Sequence, residues 1–312
     1  MTAGFRIGVD LGGTKIEAAV IDRDGQIHMR RRVATPGGDY VGTITAVDAL
    51  IRSIEAEFGG RFTVGVGIPG TATASTGLIK NANSTWLIGR SLAGDLGAAL
   101  GRRVRLANDA NCFALSEASD GAAAGLGNVF GVILGTGVGG GLVINGRIVV
   151  GANAIAGEWG HNPLPWPQPD ESPGPPCYCG RRGCIETFLS GPGLATDHRW
   201  HTGATMLGEA IVAGAAGGDA ACRTTLDRHS ERLARALAHV INILDPDAIV
   251  LGGGLSGIGS LYEEVPRCWG KFVFSDSVLT KLLPPLHGDS SGVRGAAWLW
   301  SPDEAVAAAD RT

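Results

Sequence analysis

The sequence predicts an α/β protein made of two similar domains that face each other. Three observations lead there. The segments IGVDLGGTK (residues 7–15) and GVILGTGVGG (residues 131–140) repeat one unit: an apolar strand, a glycine turn carrying a threonine, and a second strand. A repeat this widely spaced is too long for a solenoid and implies two related domains. Strand-length apolar runs alternate with helix-period segments, the mark of α/β architecture. At 312 residues and 44% hydrophobic, the chain can bury the cores of two domains.

The elements follow in order. Residues 5–10 form an apolar strand, residues 11–14 a glycine turn and residues 15–22 a second strand; Asp24-Gly25 then makes a hairpin turn into a third strand over 27–33. Ile44, Val47, Ile51, Ile54 and Phe58 step by three and four, one apolar face of a helix. Strands are predicted over 63–68 and 104–107, the latter followed by a helix over 111–119. The pattern then restarts: a strand over 128–134, a glycine turn over 135–141, a strand over 142–144, an Asn145-Gly146 hairpin signal and a strand over 147–150. Residues 163–176 hold seven of the 15 prolines, and such a stretch suits neither helix nor central strand, so it reads as a surface excursion. A long helix over 219–244, a buried strand over 248–251 and a terminal helix from 293 to about 308 complete the chain. The expected division is residues 1–118 plus 293–312 for one domain and 119–292 for the other.

Composition excludes several classes. A formal net charge of −4 argues against a nucleic-acid binder, which needs a basic surface. No apolar run of membrane-spanning length occurs, and the start MTAGFRIGVD lacks a signal sequence, so the cytoplasm is the expected location. The 50 glycines sit in loops beside apolar runs, which marks backbone positions needing positive φ or close ligand approach.

Half of the 6 cysteines fall within eight positions, and with His161 they form a Cys₃His set: His161, Cys177, Cys179 and Cys184. Four protein ligands make a closed zinc site that serves structure and leaves no open position for a zinc-dependent hydrolase. Buried thiols or a redox pair are the alternatives. Glu158 and Glu186 lie in the same run, so a zinc there would fasten together the two segments that carry them.

Three glycine turns follow predicted strands: Gly12-Gly13-Thr14, Gly135-Thr136-Gly137 and Gly252-Gly253-Gly254. Exposed backbone N–H groups suit phosphate oxygens, so three such turns on one chain point to a nucleoside triphosphate. A Walker A loop is absent. The G-x-G-x-x-G at 135–140 precedes a hairpin rather than a helix, which disfavours a dehydrogenase. Asp109 ends an apolar strand, where α/β sheets bind ligands, and suits a general base in phosphoryl transfer; its alternative is a helix cap. Asp10, beside the first turn, suits Mg²⁺ held through water, or plain turn chemistry. Glu158, His161, Glu186, Asn83 and Asn108 offer the mixed donors and acceptors that a polyhydroxylated substrate needs. Trp86 either stacks on a sugar ring or covers its own loop.

DLGGTK at 10–15, NDAN at 108–111, GTGVGGG at 135–141, GEWGH at 157–161, CYCGRRGCIE at 177–186 and LGGGLS at 251–256 together resemble the ROK sugar kinases over nearly the whole chain. The resemblance implies an actin-like ATPase or hexokinase-type fold. Its two ribonuclease H-like domains each repeat a βββαβαβα unit, with a cleft between them. It implies ATP with Mg²⁺, a structural Zn²⁺, a hexose substrate and a homodimer. By motif, Asp109 is similar to the general base. Gly70, Asn83, Asn108, Asp109, Glu158, His161 and Glu186 resemble the sugar contacts, with one ring nitrogen of His161 for zinc and the other for a sugar hydroxyl. Asp10, Gly12, Gly13, Thr14, Lys15, Thr136 and Gly137 resemble the phosphate-side residues, and Gly253 and Gly254 those near the adenosine. The chain starts directly at its first strand, without the helix-turn-helix of the family's repressors, so an enzyme is expected. NANSTW at 81–86, GHNPLPW at 160–166 and HGDSSGVRGAAWLW at 287–300 are most similar to fructokinases of the manno(fructo)kinase type, making fructose the expected acceptor; N-acetylglucosamine kinases share much of the rest.

Overall fold

Three strands open the chain: β1 (Arg6–Leu11), β2 (Lys15–Ile21) and β3 (Ile27–Ala34). The computed structural model describes residues 4–309; the chain ends at 1–3 and 310–312 in the expected domains lie outside the described residues. β1 and β2 are buried apart from the partly exposed Asp10 and the exposed Lys15, whereas β3 is the sheet edge and half exposed. Arg30 and Arg32 on that edge clasp the buried Glu17 of β2, and such charges discourage edge-to-edge pairing. Next comes α1 (Tyr40–Phe58), capped by the Asp39 carboxylate, which accepts the Gly42 N–H, and ended by Gly59 in the left-handed region. Its apolar face puts Val47, Ile51 and Ile54 into one core with Ile7, Val9, Val64 and Val66. β4 (Thr63–Ile68), the short hairpin β5 (Thr71–Ala72) and β6 (Ile79–Lys80), α2 (Leu92–Leu100), β7 (Val104–Asn108) and α3 (Asp109–Ser119) follow. The sheet runs β3-β2-β1-β4-β7, with β1, β4 and β7 parallel.

The second half repeats this. β8 (Asn128–Leu134), β9 (Val138–Ile144) and β10 (Arg147–Ile148) make the meander. Helices α4 (Ile185–Leu189), α5 (Gly191–Thr202), α6 (Gly208–Ala216) and α7 (Ala220–Leu244) precede β11 (Ala248–Gly252), α8 (Leu261–Trp269) and β12 (Lys281–Leu283). The second sheet runs β10-β9-β8-β11-β12, so both sheets place their strands third, second, first, fourth, fifth. That is the duplicated ribonuclease H-like arrangement of the hexokinase-type fold. Among the described residues no helix is long and apolar enough to cross a membrane.

The expected terminal helix is two helices, α9 (Ser291–Trp298) and α10 (Pro302–Ala309). A residue before proline is pushed out of the helical region, which ends the first helix ahead of Ser301. The Ser301 hydroxyl then accepts the Glu304 N–H and starts the second. The glycine turn expected over 135–141 ends at Gly137, and the next three glycines lie inside β9. Gly140 and Gly141 are there for packing: a Cβ at Gly140 would stand 2.7 Å from the Gly157 carbonyl oxygen, and one at Gly141 2.4 Å from that of Ala110. α9 depends on the same device, since a Cβ at Gly8 would meet the Val293 oxygen at 1.9 Å and one at Gly65 the Ala296 oxygen at 1.8 Å. Many glycines thus serve close backbone packing rather than ligand approach.

The chain packs as two units, Met1–Gly125 with Gly141–Ala156 and Asp289–Thr312, and Leu126–Gly140 with Gly157–Gly288. The hairpin after Gly141 falls with the first unit because it packs on α3, a placement that the expected division at 119–292 does not contain. The proline-rich stretch is exposed over most of its length but is not a free excursion. Glu171 is buried in it and receives hydrogen bonds from Arg232 and Arg235 of α7, and Arg235 also donates to the Trp166 carbonyl at 2.6 Å. Burial works against an ionised Glu171, but the two guanidiniums outweigh it and hold the carboxyl down at about 2.

Candidate active site and metal centre

In the first unit the parallel strands β1, β4 and β7 end side by side, Asp10 pairing with Gly67 and Ile68 with Asn108. Asn108 is the N-cap of α3: its Oδ1 accepts the Ala110 N–H at 2.9 Å, and its Nδ2 donates to the Gly70 carbonyl at 3.2 Å. The helix therefore starts two residues earlier than the spacing predicts, and Asn108 supplies the cap that Asp109 had been considered for. Asp109 is exposed in the first turn, and its Oδ1 also accepts the Ala110 N–H, at 2.8 Å. Gly70 has φ +151°, and a Cβ there would meet Ala82 at 2.8 Å, so only glycine lets the segment carrying Asn83 lie this close. Asn83 is exposed. Trp86 is half-buried, and its indole N–H donates to the Thr43 hydroxyl at 3.2 Å, which makes it a cover for its loop.

The turn Gly12-Gly13-Thr14 follows β1 and is mostly exposed, held by the Gly12 N–H donating to the Lys15 carbonyl at 3.0 Å and the Thr35 hydroxyl donating to the Gly12 carbonyl at 2.8 Å. Lys15 starts β2 and points to solvent. Asp10 lies beneath this turn. Burial, then the charges of Asp109 and Glu17, push its carboxyl up to about 6, with Lys15 pulling the other way. A buried carboxyl whose ionisation a second carboxylate disfavours is one that a cation would favour.

In the second unit the turn Gly135-Thr136-Gly137 follows β8 and is tied on both sides. The Gly191 N–H at the start of α5 donates to the Gly135 carbonyl at 2.8 Å, and Glu186 in the first turn of α4 accepts the Val138 N–H at 3.0 Å. Gly253, at φ +79°, follows the neighbouring strand β11, and a Cβ there would stand 2.4 Å from the Leu134 oxygen; Gly254 borders open space. Both are exposed. The unit thus brings two glycine turns to adjacent strand ends. Glu158 is exposed at the head of a short 3₁₀ turn, Trp159–His161. Trp159 fixes that turn by packing edge-on against Phe130 and donating its indole N–H to the Gly139 carbonyl at 3.0 Å.

The four ligand atoms of His161, Cys177, Cys179 and Cys184 all lie within 4.8 Å of one another. Cys177 Sγ is 3.5 Å from His161 Nδ1, and Cys179 Sγ is 3.6 Å from Cys184 Sγ. Zn–S bonds of about 2.3 Å and Zn–N bonds of about 2.0 Å in a tetrahedron require edges of roughly 3.5–3.8 Å, which these two separations match. The backbone forms the cage: the Cys177 N–H donates to the Arg181 carbonyl, Gly180 to Cys177, and Ile185 to Asn162. Tyr178, between two of the ligands, was not anticipated. Its hydroxyl is 2.9 Å from His161 Nε2. Its position between two fixed cysteines was the available signal, because a residue so placed has little backbone freedom.

Two glycine turns at strand ends, a carboxylate pair and the hexokinase-type sheets define a sugar-kinase class of fold. The ROK family model matches residues 6–303, and the chain belongs to the ROK family and is a sugar kinase. An N-acetyl-D-glucosamine kinase from Yersinia enterocolitica is 40% identical over 296 residues, covering 94% of this chain and 98% of the relative. Among solved structures, the ROK hexokinase from Thermus thermophilus superposes with a TM-score of 0.83 at 30% identity, covering 94% of this chain and 97% of the other. A ROK family glucokinase from Streptomyces griseus, in complex with glucose and AMPPNP, gives a TM-score of 0.75 at 28% identity, covering 95% and 98%.

Proposed function

We propose that the protein transfers the γ-phosphoryl group of ATP to the 6-hydroxyl of a hexose. The observation that supports this most is the grouping of Asp10 at the end of β1 with Asn108 and Asp109 at the β7–α3 junction, on the two strands that flank β4, beside an exposed glycine turn. In this reading Asp109 orients and finally deprotonates the attacking hydroxyl. Gly70, Asn83, Asn108, Glu158, His161 and Glu186 contact the sugar. Gly12, Gly13, Thr14, Lys15, Thr136 and Gly137 face the phosphates, and Gly253 and Gly254 the adenosine. Asp10 would hold Mg²⁺ through water; when bound, this ion neutralises charge on the transferring group. The homodimer that the resemblance implies remains part of the proposal.

For the acceptor, the matched curated relatives favour N-acetyl-D-glucosamine over the fructose expected from the sequence. Fructose stands as the second reading because the three segments that resemble fructokinases are intact. Two of their aromatic residues serve packing, however: Trp86 bonds Thr43, and Trp166 stacks on Phe272 at 5.3 Å. The deciding experiment is ADP release with Mg·ATP against N-acetylglucosamine, fructose, mannose, glucose and N-acetylmannosamine, compared by kcat/KM. The highest value names the acceptor. No activity with any of them would overturn the kinase mechanism in favour of a non-catalytic sugar sensor.

His161, Cys177, Cys179 and Cys184 would hold a zinc ion whose contribution, when bound, is to fasten the loop carrying Glu158 and Glu186. Metal analysis of folded protein is expected to give one zinc per chain. Stripping it should lower the melting temperature by several degrees, since ligand bound only by the native state stabilises it. Cys184→Ser should lose the metal. Folded, metal-free protein with an unchanged melting temperature is the contrary outcome.

A further inference from the structure

We infer that Tyr178 is a built-in competitor for the sugar: its hydroxyl occupies the nitrogen of His161 that the sugar must take. This rests on the proposed role of His161 as a sugar contact. Of the two ring nitrogens, Nδ1 faces the Cys177 sulfur at 3.5 Å and belongs to the metal cage. Only Nε2 is left for a substrate, and Tyr178 Oη lies 2.9 Å from it. An imidazole nitrogen makes one in-plane hydrogen bond, so Nε2 serves either the phenol or a sugar hydroxyl. The two groups are chemically alike, each a hydroxyl that donates and accepts.

The phenol is held close but weakly. Its backbone is fixed by the cage, where Cys177 N–H bonds Arg181 and Gly180 N–H bonds Cys177, so the side chain stays within reach of His161. A tethered group competes at high effective concentration. Yet the residue is 83% exposed, and its ring meets His161 only edge-on, at 5.0 Å and 89°. No burial opposes a swing about χ1. Tyr178 also borders a cavity of about 240 Å³ whose lining includes Thr136, Glu186 and Ser190. Before substrate arrives the phenol keeps the His161 ring oriented. On arrival the sugar hydroxyl replaces it, and the exchange raises the sugar concentration needed for binding.

Tyr178→Phe keeps the ring and removes the hydroxyl. The variant is expected to bind sugar about fivefold more tightly, the worth of one ordinary hydrogen bond. The gain should appear in a calorimetric Kd measured without ATP and in the sugar KM, while kcat and the KM for ATP stay within about twofold. Tyr178→Ala should move the sugar Kd in the same direction, and metal analysis of both variants should match the wild type, which shows the cage intact. In a deoxy-sugar series, the analogue lacking the hydroxyl that meets His161 should show no gain. An unchanged Kd would overturn the inference, as would a weaker one, which would make the phenol itself a sugar contact. Failure of the wild-type protein to bind any hexose would remove the underlying reading, and it shows before any variant is made.

Discussion

Asp109→Asn is expected to lower kcat by about 10²–10⁴, the range that a positioned general base contributes, while leaving the sugar Kd within about threefold. The substitution separates two roles that share one side chain. Asp109 Oδ1 accepts the Ala110 N–H at 2.8 Å in the first turn of α3, a bond that also supports the helix start. An asparagine amide keeps that acceptor oxygen and nearly the same shape, and Asn108 still caps the helix. What it cannot do is take a proton from a hydroxyl. If Asp109 served only the helix terminus, the amide would be nearly as good and turnover would persist. Single-turnover assays with Mg·ATP, paired with calorimetric sugar binding, measure both quantities. Substantial activity in a folded variant that binds sugar would remove Asp109 as the base.

The parts of this fold that were legible in the sequence are those set by short-range periodicity. β4 and β8 were read at their exact bounds because both are buried apolar runs closed by turn residues. The repeated strand–turn–strand unit was legible because a glycine turn carrying a threonine follows the first strand of both copies, and both sheets have the same strand order. The grouping of Cys177, Cys179 and Cys184 was legible from spacing, since cysteines two and five residues apart readily share a turn. Features that depend on distant partners were not. Gly140 and Gly141 read as part of a turn because their alternative reason, backbone packing against Gly157 and Ala110, is set by residues far along the chain. The anchoring of the proline-rich stretch needs Arg232 and Arg235, more than sixty positions from Glu171, and no local pattern announces that pairing. Asp10 and Asp109 were each noticed singly. The effect of Asp109 on the ionisation of Asp10 arises only because β1 and β7 flank β4 in one sheet.

That last coupling sets stability against function in a way that one substitution exposes. Asp10→Asn is expected to abolish activity and to stabilise the protein at neutral pH. Burial, with Asp109 and Glu17 nearby, raises the Asp10 carboxyl to about 6, above the value of about 3.9 for an aspartate in an unfolded chain. Between those values the folded protein retains a proton that the unfolded chain has shed. The group's contribution is therefore complete below about pH 4 and is lost as pH rises through about 6. Some two pKa units correspond to at most about 3 kcal/mol of stability forgone at pH 7. A neutral amide removes that loss, so the variant should unfold at higher temperature than the wild type at pH 7.5, and the advantage should shrink toward nothing near pH 4. The same change deletes the negative charge that would hold Mg²⁺, so kcat should fall by at least about 10², and Mg·ATP should raise the melting temperature of the wild type but not of the variant. Asp109→Asn should relieve part of the same strain, because removing the second charge lowers the Asp10 pKa toward its ordinary range. Melts of the three proteins across pH 4–8 test the linkage. An Asp10→Asn protein that is less stable than the wild type at pH 7.5, or whose advantage does not change with pH, would falsify this account of why a buried carboxylate persists beneath the first glycine turn.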